Sequence, residues 1–360
     1  MNNSMYIATT SMITNQKTTD ITSNNLANAN TTGFKRDMPI IESFPEVLLA
    51  KIKDKDDLDN HVPFTGVKIE ESEDGVYSLS INSGYFRLST PAGMSHNREI
   101  EFTIDQNGYL KTFYTDIDGN RRTNDENYLL GRNGKPIRVE GQDIQISPNG
   151  NIISNGQVVD NILFLPSHQI IGTTSAGVRL DKVITDFTDG SYIKTGNDLD
   201  FAIKGQGFFK VQSQDGQIYY TRDGSFTINN EGTLMTKDGK IVLGQDGPIQ
   251  LQGNEIELHE NGSIFSNGQL IDMLNIVQVN NKEDLRKQGD NLYAAVENSQ
   301  IQEAPFTGEV VNGYIEGSNV NVIKEMVNMI TAFRNYESSQ KIITTQDELL
   351  GKVVNDLGRV

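Results

Sequence analysis

Gly317-Ser318-Asn319-Val320-Asn321-Val322-Ile323-Lys324-Glu325-Met326-Val327-Asn328-Met329-Ile330 opens the C-terminal stretch, and its reading decides the fold. From Val322 onward, apolar residues recur in alternating steps of four and three: Val322, Met326, Met329, Phe333, Tyr336, Ile343, Leu350, Val354 and Leu357, with Gln340 and Asp347 filling two places. That seven-residue period is the seam of a coiled coil. A helix of this length spans about 50–60 Å and has no globular core of its own behind it, so it needs a partner helix.

The other end of the chain offers one. Residues 4–28 read as a helix with Met5, Ala8, Met12 and Leu26 on one face and Ile13 and Ile21 beside it. Asn15, Thr19 and Thr22 share that face, so it is only weakly apolar and would be marginal alone in water. The helix stops at Asn28-Ala29-Asn30-Thr31-Thr32-Gly33, a polar run ending in glycine. The two terminal helices are expected to pair with each other or with neighbouring copies.

Between them the chain is punctuated by Asp-Gly and Asn-Gly pairs, among them Asp118-Gly119, Asn149-Gly150, Asp223-Gly224 and Asn261-Gly262. Such pairs accept the positive φ of tight hairpins, so the middle is expected to be antiparallel β structure. Two parts of it match without gaps: 137–160, IRVEGQDIQISPNGNIISNGQVVD, and 249–272, IQLQGNEIELHENGSIFSNGQLID. The match extends upstream through Phe102-Thr103-Ile104 and Phe226-Thr227-Ile228, then Gly84-Tyr85-Phe86 and Gly207-Phe208-Phe209. Residues 66–165 therefore read as a diverged copy of 196–279. Two copies are too few for a solenoid, so two similar β-domains in series are expected. The fold class is α+β.

Composition narrows the functions. The 360 residues allow two or three domains, and 36% are hydrophobic. A net charge of −17 without a basic cluster argues against nucleic acid. The run Lys51-Ile52-Lys53-Asp54-Lys55-Asp56-Asp57 is mixed in sign and reads as a solvated linker. Cysteine is absent, which removes disulfides and thiolate metal sites and suits an extracytoplasmic setting. No apolar run reaches the ~18 residues of a membrane span, and no secretory signal pattern opens the sequence, so export would need another route.

The sequence carries few residues in catalytic or metal-binding patterns. His61, His96, His168 and His259 are scattered and form no metal pair. Gly205-Gln206-Gly207 leads into a strand, not a nucleotide-binding helix. No GxSxG is present. Asp116-Ile117-Asp118-Gly119-Asn120 has calcium-loop spacing without the closing Glu, so a hairpin turn is preferred. Asp223 and Asp238 precede glycines and read as turn residues. No enzyme activity, cofactor or metal is expected. A secreted cell-wall hydrolase, which needs paired carboxylates such as Asp116 or Asp118, and a calcium-dependent binding protein are the competing classes.

Four motifs then point to a family. Ser23-Asn24-Asn25-Leu26-Ala27-Asn28-Ala29-Asn30-Thr31-Thr32-Gly33-Phe34-Lys35-Arg36 resembles the signature of the bacterial flagellar rod and hook proteins. So do Leu199-Asp200-Phe201-Ala202-Ile203-Lys204-Gly205-Gln206-Gly207-Phe208-Phe209, Tyr220-Thr221-Arg222-Asp223-Gly224-Ser225-Phe226, and Gly313-Tyr314-Ile315-Glu316-Gly317-Ser318-Asn319-Val320-Asn321. Gly289-Asp290-Asn291-Leu292-Tyr293 is a weaker echo. The motifs cover 1–44 and about 170–360 in the family's order, nearest to its distal rod members, with proximal rod members second. Residues 45–168 are additional, which is more hook-like.

The resemblance implies a structural subunit of the basal-body rod, exported by the flagellar type III apparatus. It implies an inner tube layer from 1–44 and 313–360 and a family β-domain over 169–312, with the extra β-rich domain at 45–168. The implied partners are copies of itself, other rod and hook proteins, and a surrounding ring or cell wall, without nucleic acid or membrane insertion. Inter-subunit packing is expected of Met5, Ala8, Met12, Leu26, Val322, Met326, Met329, Phe333, Tyr336, Ile343, Leu350 and Val354. Asn24, Asn25 and Asn28 are expected to hydrogen-bond between subunits.

Overall fold

The computed structural model describes residues 2–50, 66–71, 75–115, 121–141, 144–165, 170–175, 177–251, 256–259, 261–296 and 299–357. The calcium-like loop at 116–120, His61, His168 and the mixed-charge run from 51 lie outside the described residues. The chain is α+β: one helix at each end and a mostly antiparallel β middle. It divides into two compact units, one of residues 1–17, 39–182 and 333–360 and the other of 18–38 and 183–332.

Helix α1 runs Asn2–Ala27 and α2 runs Val322–Leu357. Asn321 caps α2, its Oδ1 accepting from the Lys324 amide at 3.0 Å. At the end of α1 the Asn28 side chain donates to the Asn24 carbonyl, and Gly33 follows at φ +68°. The buried residues of α1 are Ala8, Thr14, Thr18, Thr22 and Asn25; those of α2 are Glu325, Ala332 and Ser339. Ser339 bonds Ser11 in the first unit and Glu325 bonds Asn25 in the second, an antiparallel order.

The apolar seam expected on α2 is therefore split. Met329, Tyr336, Ile343 and Leu350 are half-buried, while Val322, Met326, Phe333 and Val354 are exposed. On α1, Ala8 is buried and Met5, Met12 and Leu26 are half-buried. The cause is composition: small and polar residues occupy the inward stripes, and the apolar stripe of α2 is wider than that seam.

In the first unit, Leu163–Phe164, Tyr85–Thr90, Arg121–Leu130, Leu110–Thr115, Glu99–Ile104, Tyr77–Ser80 and Lys68–Glu71 follow one another in one sheet, and Gly93–Asn97 pairs with Tyr85–Thr90. Beside it lies a meander of Ile144–Ile146, Asn151–Ser154 and Gln157–Asn161. One core, including Phe86, Phe102, Leu110, Leu129 and Ile152, fills the space between. Outside it, Val47–Ala50 pairs with Ile170–Thr174.

The second unit repeats these registers. Phe226 faces Thr236 and Ile228 faces Leu234, as Phe102 faces Thr112 and Ile104 faces Leu110. The edge pairing differs by one place: Phe209 faces Ile276, while Phe86 faces Leu163, the counterpart of Asn275. Its meander, Ile256–Leu258, Ser263–Ser266 and Gln269–Met273, carries a bulge after Ile264, matching the one after Ile152. Both meanders turn on an Asn-Gly pair with positive φ at both residues, Asn155-Gly156 and Asn267-Gly268, as a tight two-residue hairpin requires. The second unit differs in having two cores. Phe201, Phe209 and Leu234 belong to one; Phe208, Tyr220 and Tyr293 belong to another, across the sheet.

Candidate functional site

The motif residues of the second unit meet in one buried, charged knot. Its hub is Glu316, in the strand Tyr314–Glu316, which is fully buried. The Lys35 ammonium, also fully buried, lies 2.6 Å from Glu316 Oε1 and donates to the Thr188 carbonyl at 2.7 Å. Arg222 closes the other side. Its Nε is 2.9 Å from Glu316 Oε2, and Nη2 is 2.6 Å from Asp189 Oδ1. Its Nη1 donates to the Gly205 and Gly207 carbonyls. The Gly190 amide also donates to Glu316. Two cations thus face two carboxylates, the balance that makes buried charge tolerable.

A second pair adjoins it. Arg36 Nε is 2.8 Å from Oε1 of Glu325, on the first turn of α2, and both side chains are nearly buried. Asn25 donates to the other Glu325 oxygen and to the Asp37 carbonyl, and accepts from the Asp37 amide at 2.9 Å. Asn319 accepts from the Arg36 amide and donates to the Asp186 carbonyl. Lys287 completes the cluster. It sits 2.8 Å from Asp37, donates to the Lys35 carbonyl, and lies over the Phe34 ring at 4.1 Å.

Backbone geometry explains the loop. Gly33 has positive φ, and a Cβ there would lie 2.5 Å from the Asp223 amide nitrogen; only glycine fits. A Cβ on Gly224 would lie 1.8 Å from the Phe201 carbonyl oxygen. Burial holds the Lys35 ammonium below its ordinary value, opposed by Glu316. Burial and then Asp189 push the Tyr192 hydroxyl up to about 12. Burial pushes Tyr293 up as well, and it likewise raises the Asp223 carboxyl. Nothing here presents a nucleophile or an open acid and base; the arrangement locks chain segments together.

Of the three asparagines expected at subunit contacts, Asn25 spends its side chain inside the chain, Asn28 bonds Asn24 and Thr31, and Asn24 is exposed. Lys35, Arg36, Arg222 and Glu316 stood in the motifs, and Glu325 in the opening of the C-terminal helix, without an assigned role. The usable signal was that two motifs carry these cations and a third, 313–321, carries the buried Glu316. Among the described residues no group of three metal-ligating side chains occurs, and no helix is long and apolar enough to cross a membrane.

Comparison with known proteins agrees with the knot's motifs. Residues 5–35 match the model described as flagella basal body rod protein, 202–270 the flagellar hook protein FlgE/F/G D1 domain, and 311–357 the flagellar basal body rod FlgEFG protein C-terminal region. The flagellar basal-body rod protein FlgG of Buchnera aphidicola (subsp. Acyrthosiphon pisum) is 38% identical over 52% of this chain and 75% of its own length. FlgG of Bacillus subtilis is 31% identical over 68% of this chain and 98% of its own. The Bacillus subtilis flagellar hook-basal body complex protein FlhO is 23% identical, but over 99% of this chain and 98% of its own length, so that match includes residues 45–168. The three family segments are the ones that supply Lys35, Arg222 and Glu316, and the chain belongs to the bacterial flagellar basal-body rod and hook protein family.

Proposed function

We propose that the chain is a structural subunit of the flagellar basal-body rod that assembles head-to-tail into a hollow, torque-transmitting shaft, its terminal helices packing with those of neighbouring copies. The observation that carries this reading is the exposed apolar flank of α2: Val322, Ile323, Met326, Val327, Ile330 and Phe333 face outward on consecutive turns. An apolar patch of this kind marks an interface, and a heterologous contact that does not close yields a filament. In this reading 1–44 and 313–360 form the inner layer, 169–312 the family β-domain, and 45–168 an outer domain that arose as a diverged copy. Coiled-coil pairing between copies uses Met326, Phe333 and Val354 beside Met329, Tyr336, Ile343 and Leu350, with Met5, Ala8, Met12 and Leu26 on α1. Asn24 is left to bond a neighbour. The segment is exported through the flagellar type III apparatus, and the outer domain faces a ring or the wall.

Phe333→Asp tests the packing. The purified chain should unfold as the wild type does, while motility and the count of complete hook–basal bodies collapse; normal rods would end this reading. Immunogold labelling of hook–basal bodies with antibody to residues 60–165 places the subunit. Label just below the hook marks the distal rod, label nearer the base the proximal rod, and label on the hook a hook-like segment.

A further inference from the structure

The shared registers of the two units let one be read against the other residue by residue, and they expose a docking face whose counterpart is already filled. Arg98 precedes Phe102 by four residues, as Arg222 precedes Phe226. His96 and Tyr220 stand two residues before those arginines. Arg87 and Lys210 each follow the phenylalanine that pairs across the sheet, Phe86 or Phe209.

In the second unit this face is covered and its cations are matched. Arg222 meets Glu316 and Asp189. Lys210 lies 3.0 Å from Glu303, which also accepts from the Tyr220 hydroxyl at 2.7 Å. Phe208, Tyr220 and Tyr293 bury their rings there as a separate core. Two of these three carboxylates, Glu303 and Glu316, come from the extended segment Glu303–Glu316, part of it in the strands Glu303–Pro305 and Tyr314–Glu316.

In the first unit, among the described residues, no carboxylate covers the same face; the Glu46 carbonyl meets the His96 amide and ring beside it. The Arg98 guanidinium lies over the Tyr85 ring at 5.2 Å and is exposed. Tyr85 meets His96 edge-on, His96 packs on Phe164 at 5.6 Å, and Arg87 lies over Phe164 at 4.8 Å. Arg87 donates to the Gly131 and Arg132 carbonyls. Among the described residues no carboxylate forms an ion pair with Arg87 or Arg98. Met94, on the same strand face as His96, is 44% exposed. Cations over aromatic rings without an acidic partner are a surface made for carboxylates on an apolar backing.

We propose that this face of the first unit docks an extended, carboxylate-bearing segment of another polypeptide, in the manner in which Glu303 and Glu316 fill the corresponding face of the second unit. Charge complementarity carries the choice of partner: the corresponding cations of the second unit are met by carboxylates on an extended strand. The inference rests on the shared registers and not on a place in the rod.

The probe is a fluorescent peptide of residues 299–318, titrated into the full-length chain at low salt and followed by anisotropy. Binding should weaken at least tenfold when Arg87→Ala and Arg98→Ala are combined. It should weaken at least tenfold when the peptide carries Glu303→Gln and Glu316→Gln. The charge swap is the sharpest arm: Arg98→Glu, an exposed substitution, should abolish binding of the native peptide and restore it for a peptide with Glu316→Lys. No measurable binding to the wild-type chain overturns the proposal. So does binding within twofold after the arginine substitutions, or equal binding of the neutralised peptide, which would make the face merely apolar.

Discussion

The β-domains of the two units share a register, a bulge and a turn, yet they handle charge in opposite ways. The second unit buries Lys35, Arg222 and Glu316 together, and closes the sheet's second face with a further core. The first unit keeps one core and leaves Arg87, half-buried, and Arg98, exposed, stacked on rings. What differs is what reaches the sheet from elsewhere in the chain. A single fold therefore serves as a lock where distant segments cross it and as an open face where they do not. The largest expected effect follows directly. Glu316→Gln strands two buried cations, and breaking such pairs costs about 3–5 kcal/mol. Arg98→Ala, at the corresponding arginine's surface, should move stability by no more than about 0.5 kcal/mol. Denaturant unfolding followed by fluorescence labels in each unit reads both; equal losses would show that the arginines are equivalent after all.

The next effect should be the same in both domains. Ile152 and Ile264 occupy matching meander positions, each fully buried. Truncating either to Ala should cost about 2–5 kcal/mol in its own unit. Effects differing by more than twofold would show that the two meanders pack differently despite the shared register.

How much of this was legible beforehand depended on sequence distance and on period. Hairpins announced themselves through Asn-Gly turns, and 137–160 and 249–272 both fold into three-stranded meanders that turn on Asn-Gly. The α2 helix was legible from its seven-residue period. The inward face of α1 was not, because Thr14, Thr18, Thr22 and Asn25 carry no apolar pattern. Nor was the knot, since Lys35 and Glu316 stand 281 residues apart and no local rule pairs a loop lysine with a strand glutamate. Motif resemblance brought the right segments to attention without saying that their charges meet.

A smaller effect probes a place where the two sheets differ. The residue corresponding to Gly224 in the first unit is Ile100, which is buried in its sheet. At Gly224 the Phe201 carbonyl leaves no room for a side chain. Gly224→Ala should therefore cost about 1–3 kcal/mol, as overpacking does, and should lower the second unit's unfolding midpoint alone. A neutral outcome would mean that the close approach relaxes freely and that the glycine marks no real difference between the two sheets.

The smallest effect is a difference in acid response. Asp105 and Asn229 hold the same turn. Asp105 Oδ1 accepts from the Asn107 and Tyr109 amides, and Asn229 Oδ1 from those of Glu231 and Thr233. Burial alone would raise the Asp105 carboxyl, but those amides and Lys111, 3.1 Å away, together hold it below its ordinary value. A carboxyl depressed in the folded state stabilises fully above its unfolded pKa, about 4, and that contribution is lost as pH falls through the lower folded value. One proton bounds the slope at about 1.4 kcal/mol per pH unit. Asp105→Asn should flatten the first unit's stability between pH 4 and the acid limit, by less than that bound, and leave the second unit's profile unchanged. Asn229→Asp should not create a matching sensitivity, because Met235 stands where Lys111 does in the first unit. An unchanged acid slope after Asp105→Asn would mean that the turn, and not its charge, is what the two domains hold in common.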